Sequence, residues 1–256
     1  MNPLVIVPTY NEVSSVQGIT EAILALGLPG LSVLIVDDNS PDGTGAVAAC
    51  MARRLGERLH VFRRRGHRGL GRAYVDGFRW ALDQGADPII QMDADFSHSP
   101  RYLPSFVARI AEYDVVIGSR YVNGGQVDGR WGMKRHLLSV GANSYVRAIL
   151  GIRTHDATAG FKCWRRTALE AINVERILSD GYIFQVEMTY VAERLGLAIL
   201  ELPIYFEDRR IGASKLSLRV KLEAMWRVFQ VRRRHAQLIP VAWAHPNIDE
   251  IGAGRT

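Results

Sequence analysis

Two carboxylates one residue apart, Asp93 and Asp95, follow a short apolar run and are the residues of the sequence best suited to chemistry. Carboxylates on a turn that leaves a strand can bind a hard divalent cation, Mg²⁺ or Mn²⁺, which in turn binds diphosphate oxygens. A D-x-D pair alone carries little weight, because about one is expected by chance in a chain this long and acidic. Its position after the apolar run 88–92 is what favours a functional pair.

Polar clusters also follow other apolar runs, at 8–12, 37–43 and 118–120. In an open parallel sheet the carboxyl ends of the strands meet at one edge, where ligands bind. We therefore expect Asp37 and Asp38 to lie on the same edge as the carboxylate pair. Asp42 is expected to form an Asx turn and an N-cap for the helix that follows it.

Four cations are candidates for binding phosphate: Arg120, Arg135, Arg209 and Lys215. Each could equally be a surface charge. The small residues 212–214 lie between the last two cations, so this segment could fold over a ligand and bring both charges to it. The histidines lack the H-x-x-x-H and H-E-x-x-H spacings of zinc hydrolases, which leaves His98 and His155 as supporting residues near the polar clusters.

A glycine pair, Gly69 and Gly71, resembles the start of a dinucleotide-binding fingerprint, but Tyr74 stands where the third glycine belongs. Small residues at the start of a helix also allow close packing. Close packing is the interpretation that we favour here.

The apolar runs and the segments between them predict the elements that position these residues. Runs rich in Val and Ile begin 26 to 29 residues apart and predict strands at 4–7, 31–36, 59–62, 88–92 and 114–117. Helical spacing predicts helices at 13–27, 43–56, 70–84, 101–112, 134–150 and 181–195, with a mixed stretch at 154–172 and a strand at 199–206. This alternation predicts an α/β fold, a doubly wound, mostly parallel sheet with helices on both faces.

The last strong pattern, at 216–235, predicts an amphipathic basic helix. Leu218, Leu222, Met225 and Phe229 recur at helical spacing beside Trp226, among many arginines. Such a helix can lie in a membrane interface or pack its apolar stripe on the domain, and both interpretations stay open. We predict a single domain over 1–235 and a flexible tail over 236–256.

Composition limits the class of protein. The chain has 256 residues, 48% of them hydrophobic, and 32 Lys and Arg against 26 Asp and Glu give a net charge of +6. That excess indicates an anionic partner. Two cysteines, Cys50 and Cys163, are too few for a disulfide framework and indicate a reducing compartment. Neither a signal peptide nor a membrane span is expected.

Taken in order, the motifs resemble the family 2 inverting glycosyltransferases of GT-A fold, and more narrowly the dolichol- and polyprenol-phosphate mannose synthases. The motifs at 7–12 and 92–95 are widespread in family 2, whereas those at 36–44, 181–187 and 212–215 are characteristic of the polyprenyl-phosphate branch. The matches cover 4 to about 220: 7–12 (VPTYNE), 36–44 (VDDNSPDGT), 69–71 (GLG), 92–95 (MDAD), 118–121 (GSRY), 159–162 (AGFK), 181–187 (GYIFQVE) and 212–215 (GASK).

The resemblance implies GDP-mannose, or a related nucleotide sugar, as donor and a polyprenyl or dolichyl phosphate as acceptor. It implies a nucleotide-sugar site, a metal site for Mg²⁺ or Mn²⁺ with Asp95 as the main ligand, and a cationic clamp for phosphates. The residues implied are Pro8, Tyr10, Glu12, Val36, Asp38, Asp93, Ala94 and Asp95 for the nucleotide sugar, with Arg120, Arg209 and Lys215 on phosphates; we add Arg135 for the acceptor phosphate. Ser97 stands where the family usually has a glutamine ligand, so water could bridge this shorter side chain to the metal.

The residue types suit that chemistry. A phosphate oxygen attacks the anomeric carbon as the diphosphate leaves, and a phosphate monoester with a second pKa of about 6 is already an anion near neutral pH. A strong general base is therefore not required, and a single displacement with inversion is expected. Such an enzyme would work peripherally at the cytoplasmic face of a membrane, where a membrane-anchoring partner protein could hold it, and nucleic acid is not an expected partner.

Three alternatives remain at this point. The nearest is transfer of glucose or an aminosugar to the same lipid phosphate. A phosphoacceptor receiver domain also uses acidic residues after strands and a late lysine, but it needs about half this length and leaves 181–187 unexplained. A non-catalytic adaptor at a membrane surface is the third.

Overall fold

The computed structural model describes residues 1–208 and 218–240, and for 218–224 it describes the backbone alone. Seven strands of this part of the chain form the central sheet, in the order β3-β2-β1-β4-β7-β5-β8. Their bounds, with those of a separate parallel pair β6 and β9, are β1 Leu4–Thr9, β2 Ser32–Asp37, β3 Leu59–Arg63, β4 Ile89–Gln91, β5 Val115–Ser119, β6 Gln126–Val127, β7 Lys162–Trp164, β8 Ile199–Pro203 and β9 Tyr205–Phe206.

The helices of the described residues cover both faces of the sheet. They are α1 Val16–Leu24, α2 Thr44–Leu55, α3 Leu70–Asp83, α4 Leu103–Arg109, α5 Met133–Leu150, α6 Arg166–Ile172, α7 Tyr182–Arg194 and α8 Leu218–Arg234. Alternate strand side chains enter opposite cores because successive residues of a strand point to opposite faces. Leu4 and Ile6 pack with α3, α6 and α7, whereas Val5 and Val7 pack with α1, α2 and α4.

The predicted α/β class and mostly parallel sheet are confirmed. Strands β1 to β4 pair in parallel, as do β5 and β8. The exception is β7, which lies antiparallel between β4 and β5 and comes from the stretch described as mixed in the sequence. Helices α1 and α4 are shorter than predicted. The helical spacing at 70–84 also predicts one apolar face with Leu70, Tyr74, Phe78 and Leu82, but Leu70 is exposed whereas Tyr74 and Phe78 are buried.

Helix α8 packs on the domain through a different stripe from the predicted one. Val228 and Val231 are each 1% exposed and pack with residues of α5 and α7. Met225 and Phe229, described members of the predicted stripe, are 45% and 43% exposed, and Trp226 is 65% exposed. The helix therefore docks on the domain and still presents apolar side chains to solvent.

The folded chain extends beyond the predicted boundary at 235. Arg194 donates to the carbonyls of Ala236 and Leu238 at 3.2 and 2.9 Å, and Leu238 packs against the core. These contacts correct the predicted start of a loose tail. The rest of the predicted tail, 241–256, lies outside the described residues. None of the described helices is long and apolar enough to cross a membrane.

Candidate active site

The polar clusters meet at the carboxyl edge of the sheet because β1, β2 and β4 are adjacent and parallel. In three loops leaving these strands a residue other than glycine has a positive φ: Asn11, Asn39 and Phe96. Asparagine tolerates this conformation, whereas a phenylalanine there is a genuine outlier. Such residues persist where surrounding packing holds them, and they concentrate at functional sites.

Asp95 is oriented by the turn that contains Phe96. The Ser97 hydroxyl and the Ser97 backbone N–H, at 3.0 Å, both donate to Asp95 Oδ1. Ser97 is buried, while Asp95 keeps partial exposure at the edge. In this structure Ser97 therefore positions Asp95, and its direct contact with a metal stays a prediction.

Asp93 is surrounded by aromatic groups. The Tyr74 hydroxyl donates to Asp93 Oδ1 at 3.4 Å, and the Asp93 backbone N–H donates to His98 Nδ1 at 3.1 Å. His98 is buried and stacks on Phe161, and burial lowers its pKa. Because its Nδ1 accepts a hydrogen bond, the neutral ring carries its proton on Nε2. His98 therefore supports the turn, as its place beside the cluster indicated.

Asp37 and Asp38 are buried at this edge. Asp37 accepts from the hydroxyls of Thr9 and Ser40 at 3.2 and 2.6 Å, which joins β1 to β2. Asp38 forms an ion pair with the buried Arg64 and accepts from the Gly69 N–H at 2.8 Å. Both carboxylates thus hold the loops that surround the site.

The other implied nucleotide-site residues line the same edge. Pro8 pairs with Val36 in the register of β1 and β2. Glu12 accepts from the Ser15 hydroxyl at 2.8 Å, and its N–H donates to Thr44 Oγ1 at 2.9 Å. Tyr10 is half-buried, and the Arg68 guanidinium lies 4.5 Å from the centre of its ring. Ala94 is buried between the two acidic residues.

Asp42 forms the expected Asx turn, because its carboxylate accepts from the Thr44 N–H at 3.0 Å. The N-cap residue of α2 is Gly43, one position later than predicted.

The glycine pair has a packing function. A Cβ at Gly69 would lie 1.8 Å from the Asp180 carboxylate, so glycine is required there. The Gly71 N–H donates to Asp180 Oδ1 at 2.8 Å, and Gly69 donates to Asp38. The close-packing interpretation is therefore confirmed, and both amides have protein acceptors.

Arg120 is buried rather than a surface charge. Its guanidinium donates twice to Asp156, from Nε to Oδ2 and from Nη2 to Oδ1, each at 2.7 Å, and the side chains are 7% and 0% exposed. Burial alone would lower the pKa of Arg120, but Asp156 outweighs it and raises the pKa. The sequence did not indicate Asp156 as its partner. The direct phosphate contact expected of Arg120 stays a prediction.

Of the other predicted cations, Arg135 lies within the described residues. Arg135 is exposed, forms an ion pair with Asp208 at 2.8 Å and lies 3.9 Å from the Trp131 ring centre. Arg209 and Lys215 lie outside the described residues. His155 contacts Glu201 at 2.9 Å through Nδ1.

Asp93 and Asp95 fit a hard divalent cation. Within 1–208 and 218–240 no cluster of three or more His, Cys, Asp or Glu side chains has the geometry of a metal site. Two carboxylates are nonetheless the protein ligands that suit Mg²⁺ or Mn²⁺ when substrate phosphates and water complete the shell. The serine that orients Asp95 adds a further hard oxygen at this turn.

Sequence reasoning missed a buried polar network beneath the edge. Lys162, on β7, donates to the carbonyl and to Oε1 of Gln185, on α7, at 2.9 and 3.2 Å. Burial lowers the pKa of Lys162 to about 7. Both residues belong to motifs noted in the sequence, but only the fold brings residues 23 positions apart into contact.

Comparison with known proteins gives the family of the chain. The sequence profile of glycosyl transferase family 2 matches residues 4–172, and the chain belongs to that family. It is therefore a glycosyltransferase.

Two curated relatives resemble most of the chain. It is 43% identical to the polyprenol monophosphomannose synthase of Mycolicibacterium smegmatis over 226 residues, 88% of this chain and 84% of that protein. It is 44% identical to the undecaprenyl-phosphate mannosyltransferase of Micrococcus luteus over 217 residues, 85% and 88% of the two chains.

Solved structures show the same fold. Glucosyl-3-phosphoglycerate synthase from Mycobacterium tuberculosis, in complex with Mn²⁺, UDP and glucosyl-3-phosphoglycerate, superposes with a TM-score of 0.63 at 19% identity. The match covers 94% of this chain and 81% of that one. The chain thus has the expected GT-A fold.

Proposed function

We propose that this protein transfers mannose from GDP-mannose to a polyprenyl or dolichyl phosphate by a single displacement with inversion. The observation that carries the proposal is the 43% and 44% identity to two enzymes named for mannose transfer to polyprenyl lipids. The carboxylate pair Asp93 and Asp95, held at the carboxyl edge of the sheet, supports it with a site of matching chemistry.

The acceptor phosphate attacks the anomeric carbon while the nucleoside diphosphate leaves. Because the phosphate is already anionic, the chain needs to position it rather than deprotonate it. Asp93 and Asp95 would hold Mg²⁺ or Mn²⁺, which neutralises the leaving diphosphate when bound. The Mn²⁺ of the structural neighbour supports a divalent metal in this role.

The nucleotide is proposed to lie along the ends of β1 and β2. Pro8, Tyr10, Glu12, Val36, Asp38 and Ala94 surround this part of the edge, with Asp93 and Asp95 under the diphosphate. Arg120 would act from the end of β5 and Arg135 from the start of α5, toward the acceptor phosphate. Arg209 and Lys215 complete the proposed cationic clamp.

The lipid acceptor requires contact with a membrane, and two helices offer an apolar surface for it. We define the apolar surface as the exposed apolar side chains of α5 and α8: Met133, Leu137, Leu138, Val140, Met225, Trp226 and Phe229. The helices touch, since the Tyr145 hydroxyl donates to the Met225 carbonyl at 3.1 Å. Basic residues flank the apolar surface on both helices, as binding of a helix to an anionic interface requires.

We therefore propose that the protein binds peripherally to the cytoplasmic face of a membrane through the apolar surface. An anchoring partner protein would strengthen that binding. For α8 the sequence left this role open beside packing on the domain. For α5 it gave no such indication, and the exposed apolar residues of α5 lie on a helix with a buried stripe at its other end.

A panel of radiolabelled nucleotide sugars tests the sugar and the base. Each is incubated with a polyprenyl phosphate and Mg²⁺ or Mn²⁺, and label entering the organic phase is counted. We expect label from GDP-mannose alone. Label from UDP-glucose or an aminosugar nucleotide instead would favour the polyprenyl-phosphate glucosyltransferase alternative, and no organic label from any donor would overturn the proposal.

A further inference from the structure

Gln185 has a buried amide nitrogen without a hydrogen-bond partner. The side chain is 3% exposed, and its Nε2 is one of the few buried polar atoms of the described residues that lack a partner. A buried N–H left unsatisfied destabilises the protein, so an acceptor that reaches it recovers that cost.

The orientation of this amide follows from its neighbours. The Trp164 indole N–H can only donate, and it donates to Gln91 Oε1 at 2.7 Å. Gln91 must then present its Nε2 to Gln185, which accepts through Oε1 at 3.4 Å. Lys162 donates to the same Oε1. The oxygen of Gln185 thus accepts from two buried protein groups, and the N–H₂ group points away from those donors.

Gly160 lies between this amide and the candidate site. A Cβ built on Gly160 would lie 3.6 Å from Gln185 Nε2, 3.6 Å from Asp93 Oδ2 and 3.2 Å from His98 Cε1. The amide and the carboxylate are thus within about 7 Å of each other across a partly exposed residue that has no side chain. A hydroxyl suits such a pair, because it accepts from the N–H donor and donates to the carboxylate. A bare phosphate oxygen would face the Asp93 charge.

We propose that Gln185 recognises the sugar of the donor by donating an Nε2 hydrogen bond to one of its hydroxyls beside Gly160. Lys162 and Gln91 are positioning residues that fix the amide. This inference rests on the proposed function, since the sugar is the one that the site transfers.

Gln185→Glu removes the donor and keeps the Oε1 acceptor, now in an ion pair with Lys162. We expect kcat/KM for GDP-mannose to fall about 10- to 100-fold, the loss of one buried hydrogen bond. The affinity for GDP, which lacks the transferred mannose, should stay unchanged. Gln84→Glu, the same change at an exposed glutamine after α3, is the matched control and should match wild type.

Gly160→Ala tests the same contact sterically and leaves the side chains of the amide network unchanged. The added methyl enters the space between Gln185 and Asp93, and we expect the same loss for GDP-mannose with unchanged GDP affinity. Gly129→Ala is its control, because a Cβ there meets nothing within 4 Å. Should Gln185→Glu fail to fold, this variant decides the question.

Deoxy analogues of GDP-mannose give a readout that a structural role would not move. One analogue, lacking the recognised hydroxyl, should be used equally by wild type and Gln185→Glu. The inference is wrong if both variants have the kcat/KM of wild type for GDP-mannose, or if their affinity for GDP falls by the same factor as kcat/KM. It is also wrong if wild type and Gln185→Glu differ in kcat/KM with every analogue. A wild type that transfers another sugar contradicts the proposed function only, and the comparison is then made with that sugar. A wild type that transfers none overturns both.

Discussion

At the scale of single residues, the site consists of two partly exposed carboxylates, Asp93 and Asp95, and a larger set of buried groups around them. Asp95 and its partner Ser97 are close in sequence, so their association could be predicted from the D-x-D-x-S spacing. Asp156 could not, because it lies 36 residues from Arg120 and its own neighbours in the sequence carry no signal. Local turns are encoded locally, whereas buried ion pairs depend on how distant loops meet.

Removing Asp156 should show that the pair with Arg120 is structural. In Asp156→Asn the guanidinium would remain buried without a countercharge, and we expect the free energy of unfolding to fall by roughly 3 kcal/mol or more. Urea denaturation of the purified chain measures it. Glu112→Gln, which breaks the exposed pair with Arg109, is the control and should cost less than about 1 kcal/mol. Equal, small effects in both variants would show that Arg120 does not depend on Asp156.

At the scale of elements, the periodicity of apolar residues predicted which segments are helices better than which faces they bury. The stripe of Met225 and Phe229 is regular, yet among the described side chains of α8 it is Val228 and Val231 that are buried against the domain. A helix with apolar residues on two faces has two possible docking faces, and only the partner surface selects one. The strand β7 shows the same limit, because its three residues are too few for a pattern and their pairing is set by β4 and β5.

The C-terminal end of α8 is held by Glu187 of α7. Arg234 Nη1 and His235 Nε2 each lie 2.7 Å from Glu187 Oε1, and Ser179 N–H donates to Oε2 at 2.8 Å. Burial alone would raise the pKa of Glu187, but these partners outweigh it and lower the pKa. A carboxylate with a lowered pKa in the folded state stabilises the fold above its unfolded pKa, and that contribution is lost as the pH falls.

Glu187→Gln should therefore be less stable than wild type at pH 7, and the difference should shrink as the pH falls below about 4.3, the ordinary pKa of glutamate. Urea denaturation across this range measures the difference. Amide hydrogen exchange should quicken in α8 at pH 7. Glu170→Gln, at an exposed pair with Arg166, serves as the control. A difference that grows on acidification, or unchanged exchange in α8, would contradict the role given to Glu187.

Substitution of exposed residues tests the apolar surface more cleanly than truncation, which would also remove Val228, Val231 and the Glu187 contacts. Trp226→Ser with Phe229→Ser should weaken binding to anionic liposomes about tenfold, since about 60 Å² of lost apolar burial corresponds to that factor. Liposome sedimentation measures it. Ile239→Ser, an exposed apolar residue outside α5 and α8, is the control. Unchanged partitioning in the double variant would remove α8 from the membrane contact.

At the scale of the whole molecule, the parallel sheet gathers residues from across the chain at one edge. The regular spacing of apolar runs was enough to predict this, because a strand and its crossover helix occupy a nearly constant length. The excess positive charge of the chain suits the anionic donor and acceptor of the proposed function. What could not be predicted is the interior beneath the site, where Lys162, Gln91 and Gln185 come from three elements that only the fold brings together.

The most direct measurement compares wild type with Asp95→Asn in the transfer of radiolabelled mannose from GDP-mannose to polyprenyl phosphate, with Mg²⁺ or Mn²⁺ present. The amide keeps an oxygen for Ser97, so the fold should be retained, and Asp83→Asn on the exposed end of α3 is the matched control. We predict that wild type and the control carry label into the organic phase and that Asp95→Asn carries essentially none. Near-normal transfer by Asp95→Asn would contradict the role of Asp95 as metal ligand. Label that stays in the aqueous phase with wild type would contradict the transfer of mannose to polyprenyl phosphate.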